Sequence, residues 1–65
     1  SGAEQLMGMH AEVLEDFDGR GKVRAHGELW QAHSQVPLHR GEQVRISGMD
    51  GLVLEVKPEK QLEDS

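Results

Sequence analysis

The sequence predicts an all-β domain, a five-stranded antiparallel barrel, and three observations carry that expectation. Apolar residues recur with a period of two rather than 3.6, so successive side chains point to opposite faces as they do in strands. Eight glycines are scattered through 65 residues, and each would cost about 1 kcal/mol in a helix interior. Only 35% of the chain is apolar, with one Phe, one Trp and no Tyr. A flat sheet built from so little apolar material would leave a face and two edges open, whereas closure lets every strand share one small core.

Met7, Met9, Ala11 and Val13 alternate with Gly8, His10, Glu12 and Leu14, which predicts a first strand with residues 9 to 13 facing the core. Leu14 falls out of phase, as a bulge or an exposed contact. Phe17-Asp18-Gly19-Arg20-Gly21 is a turn cluster, after which Val23 and Ala25 alternate with Lys22, Arg24 and His26 as a second strand. A two-residue turn at Gly27-Glu28, with Gly27 where positive φ is required, sets Ala25 opposite Trp30 and Val23 opposite Ala32. Both apolar sets then share one face, and a slip of one residue would turn the third strand inside out. Val36-Pro37-Leu38-His39-Arg40-Gly41 reads as a connection, because Pro37 cannot donate to a ladder.

Val44 and Ile46 mark a fourth strand, and Leu52, Leu54 and Val56 a fifth. Closing them at Asp50-Gly51 would set Ile46 against Glu55 and Val44 against Lys57, which mixes the faces. A three-residue loop Met49-Asp50-Gly51, with Gly51 left-handed as a G1 bulge, pairs Ile46 with Leu54 and Val44 with Val56 and is the expected register. The inner surface then consists of Met9, Ala11, Val13, Val23, Ala25, Trp30, Ala32, Val44, Ile46, Leu52, Leu54 and Val56. Five strands closing in this way predict an OB-like barrel over residues 6–58. Residues 59–65 carry no pattern beyond Leu62 and read as a flexible tail. Ser1-Gly2, without an initiator Met, reads as a remnant of tag cleavage, and residues 1–5 as that remnant and a linker, which fits a piece of something longer.

Several function classes recede on composition alone. Ordering a chain of this length costs roughly 100 kcal/mol at about 1.5 kcal/mol per residue, so net stability is small and an enzyme with a rigid site is disfavoured. Twelve acidic residues against seven Lys plus Arg give a charge of −5, the opposite of the basic face with which proteins displace counterions from nucleic acid. Without cysteine there is no disulfide framework and no thiolate zinc site. No apolar run approaches the roughly 20 residues that span a bilayer.

The chemistry-bearing residues read as surface or framework. The four histidines have no H-x-H or H-x-x-x-H spacing: His26 and His33 share an outward face several pairs apart, while His10 and His39 come from separate segments, so no metal is expected. Ser34 stands beside His33, but neighbours in a strand point to opposite faces, so no nucleophile and base are set up. Gly19-Arg20-Gly21 lacks the helix N-terminus that a phosphate cradle needs. Trp30 is expected inward, opposite Ala25, burying on the order of 200 Å²; the functional alternative is a stacking platform or partner anchor. Arg20, Lys22, Arg24 and Arg45 form an outward stripe diluted by acidic neighbours. Leu14, Met49 and Val53 fall on outward or loop positions and offer an apolar contact surface. Leu14, Arg24, Trp30, Met49 and Val53 are therefore the candidate partner contacts, and Gly27, Glu28, Gly41 and Gly51 the candidate structural positions.

One ordered set of residues is more specific than any of these. Gly21-Lys22-Val23-Arg24-Ala25-His26-Gly27-Glu28-Leu29-Trp30-Gln31-Ala32, then Leu38 to Gly41, Val44-Arg45-Ile46, and Gly51-Leu52-Val53-Leu54-Glu55-Val56-Lys57-Pro58, resembles the C-terminal soluble domain of the NfeD family. Similarity extends over residues 8 to 58, with Gly8, Ala11 and Val13 matching the opening strand, and Trp30 stands where the family places Trp or Tyr. The resemblance implies an OB-fold barrel tethered behind transmembrane helices, in membrane proteins implicated in regulating membrane protease activity alongside stomatin/prohibitin-type proteins. Longer members carry an N-terminal Clp-like serine protease domain; neither that domain nor a membrane span lies within these residues, which fits a fragment of a short member. The implied function is a non-catalytic interaction module, without cofactor, that docks a stomatin/prohibitin-type partner or a membrane protease, with the full-length protein in the cell membrane and this domain on the cytoplasmic face. The alternative is single-stranded nucleic-acid binding through the barrel face with Trp30, Arg20, Lys22 and Arg24, which the charge opposes, so no nucleic acid is expected. A lipoyl-like carrier is set aside because the tip Met49-Asp50-Gly51 has no Lys.

Overall fold

Period-two alternation becomes a two-sided wall. In the computed structural model, which describes residues 2–59, exposed and buried positions alternate through all of β1 (His10–Val13) and β2 (Arg20–Ala25). β3 (Glu28–His33), β4 (Gln43–Asp50) and β5 (Val53–Pro58) follow, and a short 3-10 helix, Gly2–Leu6, precedes them. The strands close into a barrel in the order β1-β2-β3-β5-β4, with β4 returning to β1. Four neighbouring pairs are antiparallel, but β3 and β5 run parallel, with Ala32 beside Leu54. This corrects the expectation of a wholly antiparallel barrel. Directions cannot alternate all the way round a closed ring with an odd number of members, so five strands require one parallel pair.

Both hairpin registers also differ from expectation. β2 and β3 pair Ala25 with Glu28 and Val23 with Trp30, so the turn is His26-Gly27 rather than Gly27-Glu28. Both turn residues are left-handed, at φ 54° and 79°, as the common two-residue I′ hairpin demands. The pairing moves by two positions, an even shift, so each side chain keeps its expected face. β4 and β5 pair Val44 with Pro58 and Ile46 with Val56, then Met49 with Leu54 and Asp50 with Val53. Their turn is Gly51-Leu52, not the three-residue loop, and Gly51 is left-handed at φ 65°. The irregularity lies between Ile46 and Gly48, so the extra residue is Ser47, inside the strand. A bulge there reverses the alternation, and Met49, expected in the loop, lies within the strand and points inward with Leu54.

Nine expected core residues, Ala11, Val13, Val23, Ala25, Ala32, Val44, Ile46, Leu54 and Val56, are at most 3% exposed. Three are corrected: Met9 is 37% exposed, Leu52 is 80% exposed, and Trp30 is half-buried at the core's edge. Each lies where the barrel ends and no opposite wall covers it. Leu6, Phe17 and Leu38 join the core from outside the strands.

Phe17 and Leu38 seal one end. They exchange both backbone hydrogen bonds, at 3.0 and 2.9 Å. The Phe17 ring occupies the space that a Cβ on Gly21 would need, so the close approach demands glycine there. Buried Ser34 is fully engaged: its N–H donates to the Gly19 carbonyl at 2.8 Å, its hydroxyl donates to the Val36 carbonyl at 2.7 Å and accepts from the Val36 N–H at 3.1 Å.

Candidate functional site

The opposite end is built from the entry to β1, the His26-Gly27 turn and the Gly51-Leu52 turn. The Gly8 N–H donates to the Ile46 carbonyl at 2.9 Å, which fixes the entry segment against β4. The parallel register, Gln31 beside Val53, brings the start of β3 next to the second turn. Leu6, 4% exposed, joins the core from the 3-10 helix. Trp30 and Met49 pack half-buried against the core, while Met7, Met9, Leu29 and Leu52 stay exposed at 40%, 37%, 64% and 80%. All three methionines and the single tryptophan of the chain therefore lie at one end. The Trp30 indole Nε1 is shut off from solvent without a hydrogen-bond partner among the described residues, a deficit of roughly 1–3 kcal/mol for a buried donor.

Of the five candidate contacts, Trp30 and Met49 come together at this end. Trp30 faces inward as expected, but opposite Val23 rather than Ala25. Val53 lies next to them on the outer face, in a concavity of about 230 Å³ with Arg20, His33, Asp50 and Glu55. Arg24 lies on the outer face of β2, where its Nη1 donates to the Glu12 carboxylate at 3.0 Å. Leu14 is half-buried beyond the far end of β1, its N–H donating to the Lys22 carbonyl at 3.0 Å. These five do not form one surface. Leu29 and Leu52 are the surface residues that sequence reasoning missed, although Leu29 beside Trp30 was legible as two consecutive apolar residues on an alternating strand.

Gly27 and Gly41 are left-handed at φ 79° and 90°. The Gly41 N–H donates to the Val13 carbonyl at 2.8 Å, and exposed Glu28 opens β3 across from Ala25.

The outer wall is polar and engaged with itself. A shallow concavity of about 430 Å³ runs over β1, lined by His10, Glu12, Arg24, His26 and Gln43 among others. His33 Nδ1 lies 2.7 Å from the Glu55 carboxylate. Arg45 donates to the Gly8 carbonyl at 2.9 Å and to Glu59 at 3.1 Å, and His10 Nε2 lies 3.0 Å from the other Glu59 oxygen. The Arg45 hydrogen bond, opposed by desolvation and assisted by the Arg45 and His10 charges, holds the Glu59 carboxyl below the ordinary carboxylate range. Arg20, Lys22 and Arg24 stand together on β2, but Glu12 pairs with Arg24 and Glu15 accepts from the Lys22 backbone N–H at 3.0 Å. Among the described residues no three His, Asp or Glu side chains gather to hold a metal.

The model of the NfeD-like C-terminal, partner-binding domain matches residues 3–58. The chain belongs to that family. A membrane-bound protease of Pyrococcus horikoshii is 36% identical over 63 residues, which cover 94% of this chain but 14% of that protein. Among solved structures, the C-terminal domain of a stomatin operon partner protein from Pyrococcus horikoshii superposes with a TM-score of 0.84 at 37% identity, covering 89% of this chain and 94% of that one. The soluble domain of a membrane protein implicated in regulation of membrane protease activity, from Corynebacterium glutamicum, gives 0.80 at 34% identity, covering 88% and 97%. The NfeD-like domain here thus has the closed barrel its resemblance implied. No helix among its described residues is long and apolar enough to cross a membrane.

Proposed function

We propose that this NfeD-like domain is a non-catalytic docking module of a membrane protein that regulates membrane protease activity, and that its partner is a stomatin/prohibitin-type membrane protein. The observation that carries the reading is the match to a partner-binding domain over residues 3–58. The names of its structural relatives, one a stomatin operon partner and one a membrane protein implicated in regulation of membrane protease activity, support the partner class and the setting. The engagement of the Ser34 hydroxyl by Val36 supports the non-catalytic role. In this reading residues 1–5 and 59–65 flank the module as linker and tail; Ser1 and residues 60–65 lie outside the described residues. The module hangs on the cytoplasmic face of the membrane.

The test is co-expression of the full-length protein with a stomatin/prohibitin-type protein of the same genome. Affinity capture of the full-length protein is expected to retain that partner, and deletion of this domain to release it. Retention without the domain, or no retention with it, overturns the reading.

A further inference from the structure

We infer that the end of the barrel ringed by Met9, Leu29, Trp30, Met49 and Leu52 is the surface that takes the partner, and that it takes an apolar segment flanked by Lys or Arg. This rests on the partner-binding reading above and names the surface and the chemistry it selects.

Three observations single this end out. The side walls engage their polar groups with one another, through the Arg24–Glu12 and Arg45–Glu59 ion pairs and the His33–Glu55 contact. The opposite end is closed by Phe17 and Leu38, 9% and 1% exposed. Only this end collects every methionine and the tryptophan, with Leu52 at 80% and Leu29 at 64% exposure. Methionine is flexible and polarisable and suits a surface that moulds to a partner, while tryptophan dominates binding energy where it is desolvated. The Trp30 N–H, without a partner among the described residues, gains an acceptor if the ring turns toward a backbone carbonyl of the incoming segment.

Charge chooses the occupant. Residues 4–9, 25–30 and 46–53, which build this end, contain no Lys or Arg. Glu28 follows the inward alternation of Trp30 at the rim, and Asp50 sits on its outer side. Arg20 approaches from outside, through the concavity it shares with Asp50, and Arg45, which reaches the Gly8 carbonyl, is paired with Glu59. A cationic flank finds complementary charge here, whereas a second copy of the same acidic rim or an anionic lipid surface meets repulsion.

The probe is a short acetylated peptide of Leu and Val with Lys at both ends, titrated into the isotope-labelled chain by NMR. The expected result is shifts at Met9, Met49, Leu52 and the Trp30 indole N–H, with a Glu-ended version of the peptide binding at least about tenfold more weakly. Leu52→Lys is expected to weaken the Lys-ended peptide at least about tenfold without moving the melting temperature, since the side chain is 80% exposed; Lys22→Gln is expected to change nothing. Shifts confined to the His10, Glu12 and Arg24 concavity, equal binding of the Glu-ended peptide, or no binding overturns the inference. So does concentration-dependent self-association through the same residues, or sedimentation with phosphatidylglycerol vesicles. The two readings separate cleanly. Equal retention of the stomatin-type protein by wild type and Leu52→Lys leaves docking standing and removes this surface, whereas peptide binding here without retention of that protein keeps the surface and removes that partner.

Discussion

At one end of the barrel Phe17 and Leu38 trade two backbone hydrogen bonds and are 9% and 1% exposed; at the other, Trp30 and Met49 stay half-buried and Leu52 is 80% exposed. Both ends terminate the same inward-facing alternation. They differ in what lies beyond the strands. The longer connections, Leu14–Gly19 and Ser34–Glu42, fold across the first end and deliver an apolar side chain each. The second end has the tight turns His26-Gly27 and Gly51-Leu52, too short to reach over the opening, and among the described residues only the 3-10 helix with Leu6 lies beyond the strands there. In so small a barrel the sealed end supplies stability, and the incompletely covered end is left with apolar side chains to offer.

The largest expected effect breaks the sealed end. Leu38→Ala removes a side chain that is 1% exposed and is expected to cost about 2–5 kcal/mol, enough to leave much of the domain unfolded at room temperature. Urea denaturation measures it, and a loss below about 1 kcal/mol would mean that the Phe17–Leu38 bridge is not where stability resides. Gly21→Ala comes next, because its Cβ would enter the Phe17 ring. Displacing the ring is expected to cost about 1–3 kcal/mol, and a melting temperature equal to wild type contradicts that packing.

The open end should respond less. Trp30→Phe gives up part of a half-buried ring but also deletes an indole N–H that is buried without a partner among the described residues. Those terms oppose each other, so stability is expected to stay within about 1 kcal/mol of wild type. A loss above about 2 kcal/mol would show that the N–H is bonded and that this end is as well made as the other.

How much of this could be read beforehand follows the same division. Inside the strands, period-two alternation was enough: Val13, Val23, Ala32, Val44 and Leu54 are all completely buried. Even the wrong β2–β3 register did no damage to the core, because its error was even. The misses cluster where parity loses authority. A non-glycine residue at positive φ is uncommon, and His26 in that conformation hid the true hairpin. The bulge at Ser47 reversed the phase of β4, so Met49 turned inward against its apparent position. Phe17, Leu38 and Leu6 lie outside every strand, where alternation says nothing and only the three-dimensional path of the connections brings them to the core. The parallel β3–β5 pair was implicit in the number five combined with closure, yet it appears in no local pattern. For the candidate contacts the same rule holds: Trp30 stood out as a lone large aromatic, while the exposure of Leu52 depended on a turn one residue away from where it was expected.

The smallest effect concerns the strap that holds the entry to the open end. Arg45 binds both the Gly8 carbonyl and Glu59, and His10 shares the Glu59 carboxylate. With the Arg45 hydrogen bond foremost, Glu59 is held below the ordinary carboxylate range in the folded chain, while the unfolded chain leaves it in that range. The folded state then binds fewer protons as the medium is acidified. The stabilisation is complete above the ordinary carboxylate range and is lost as pH falls through it toward the depressed folded value. Because the carboxylate is solvent-exposed, screening keeps the effect slight. Amide exchange locates it. Acidification through the carboxylate range should lower protection at Gly8 more in wild type than in Glu59→Gln, after correction for intrinsic exchange, while Phe17 and Leu38 at the sealed end change alike in both. Equal pH responses at Gly8 in the two proteins would separate the strap from the open end and leave Leu6 alone to hold it.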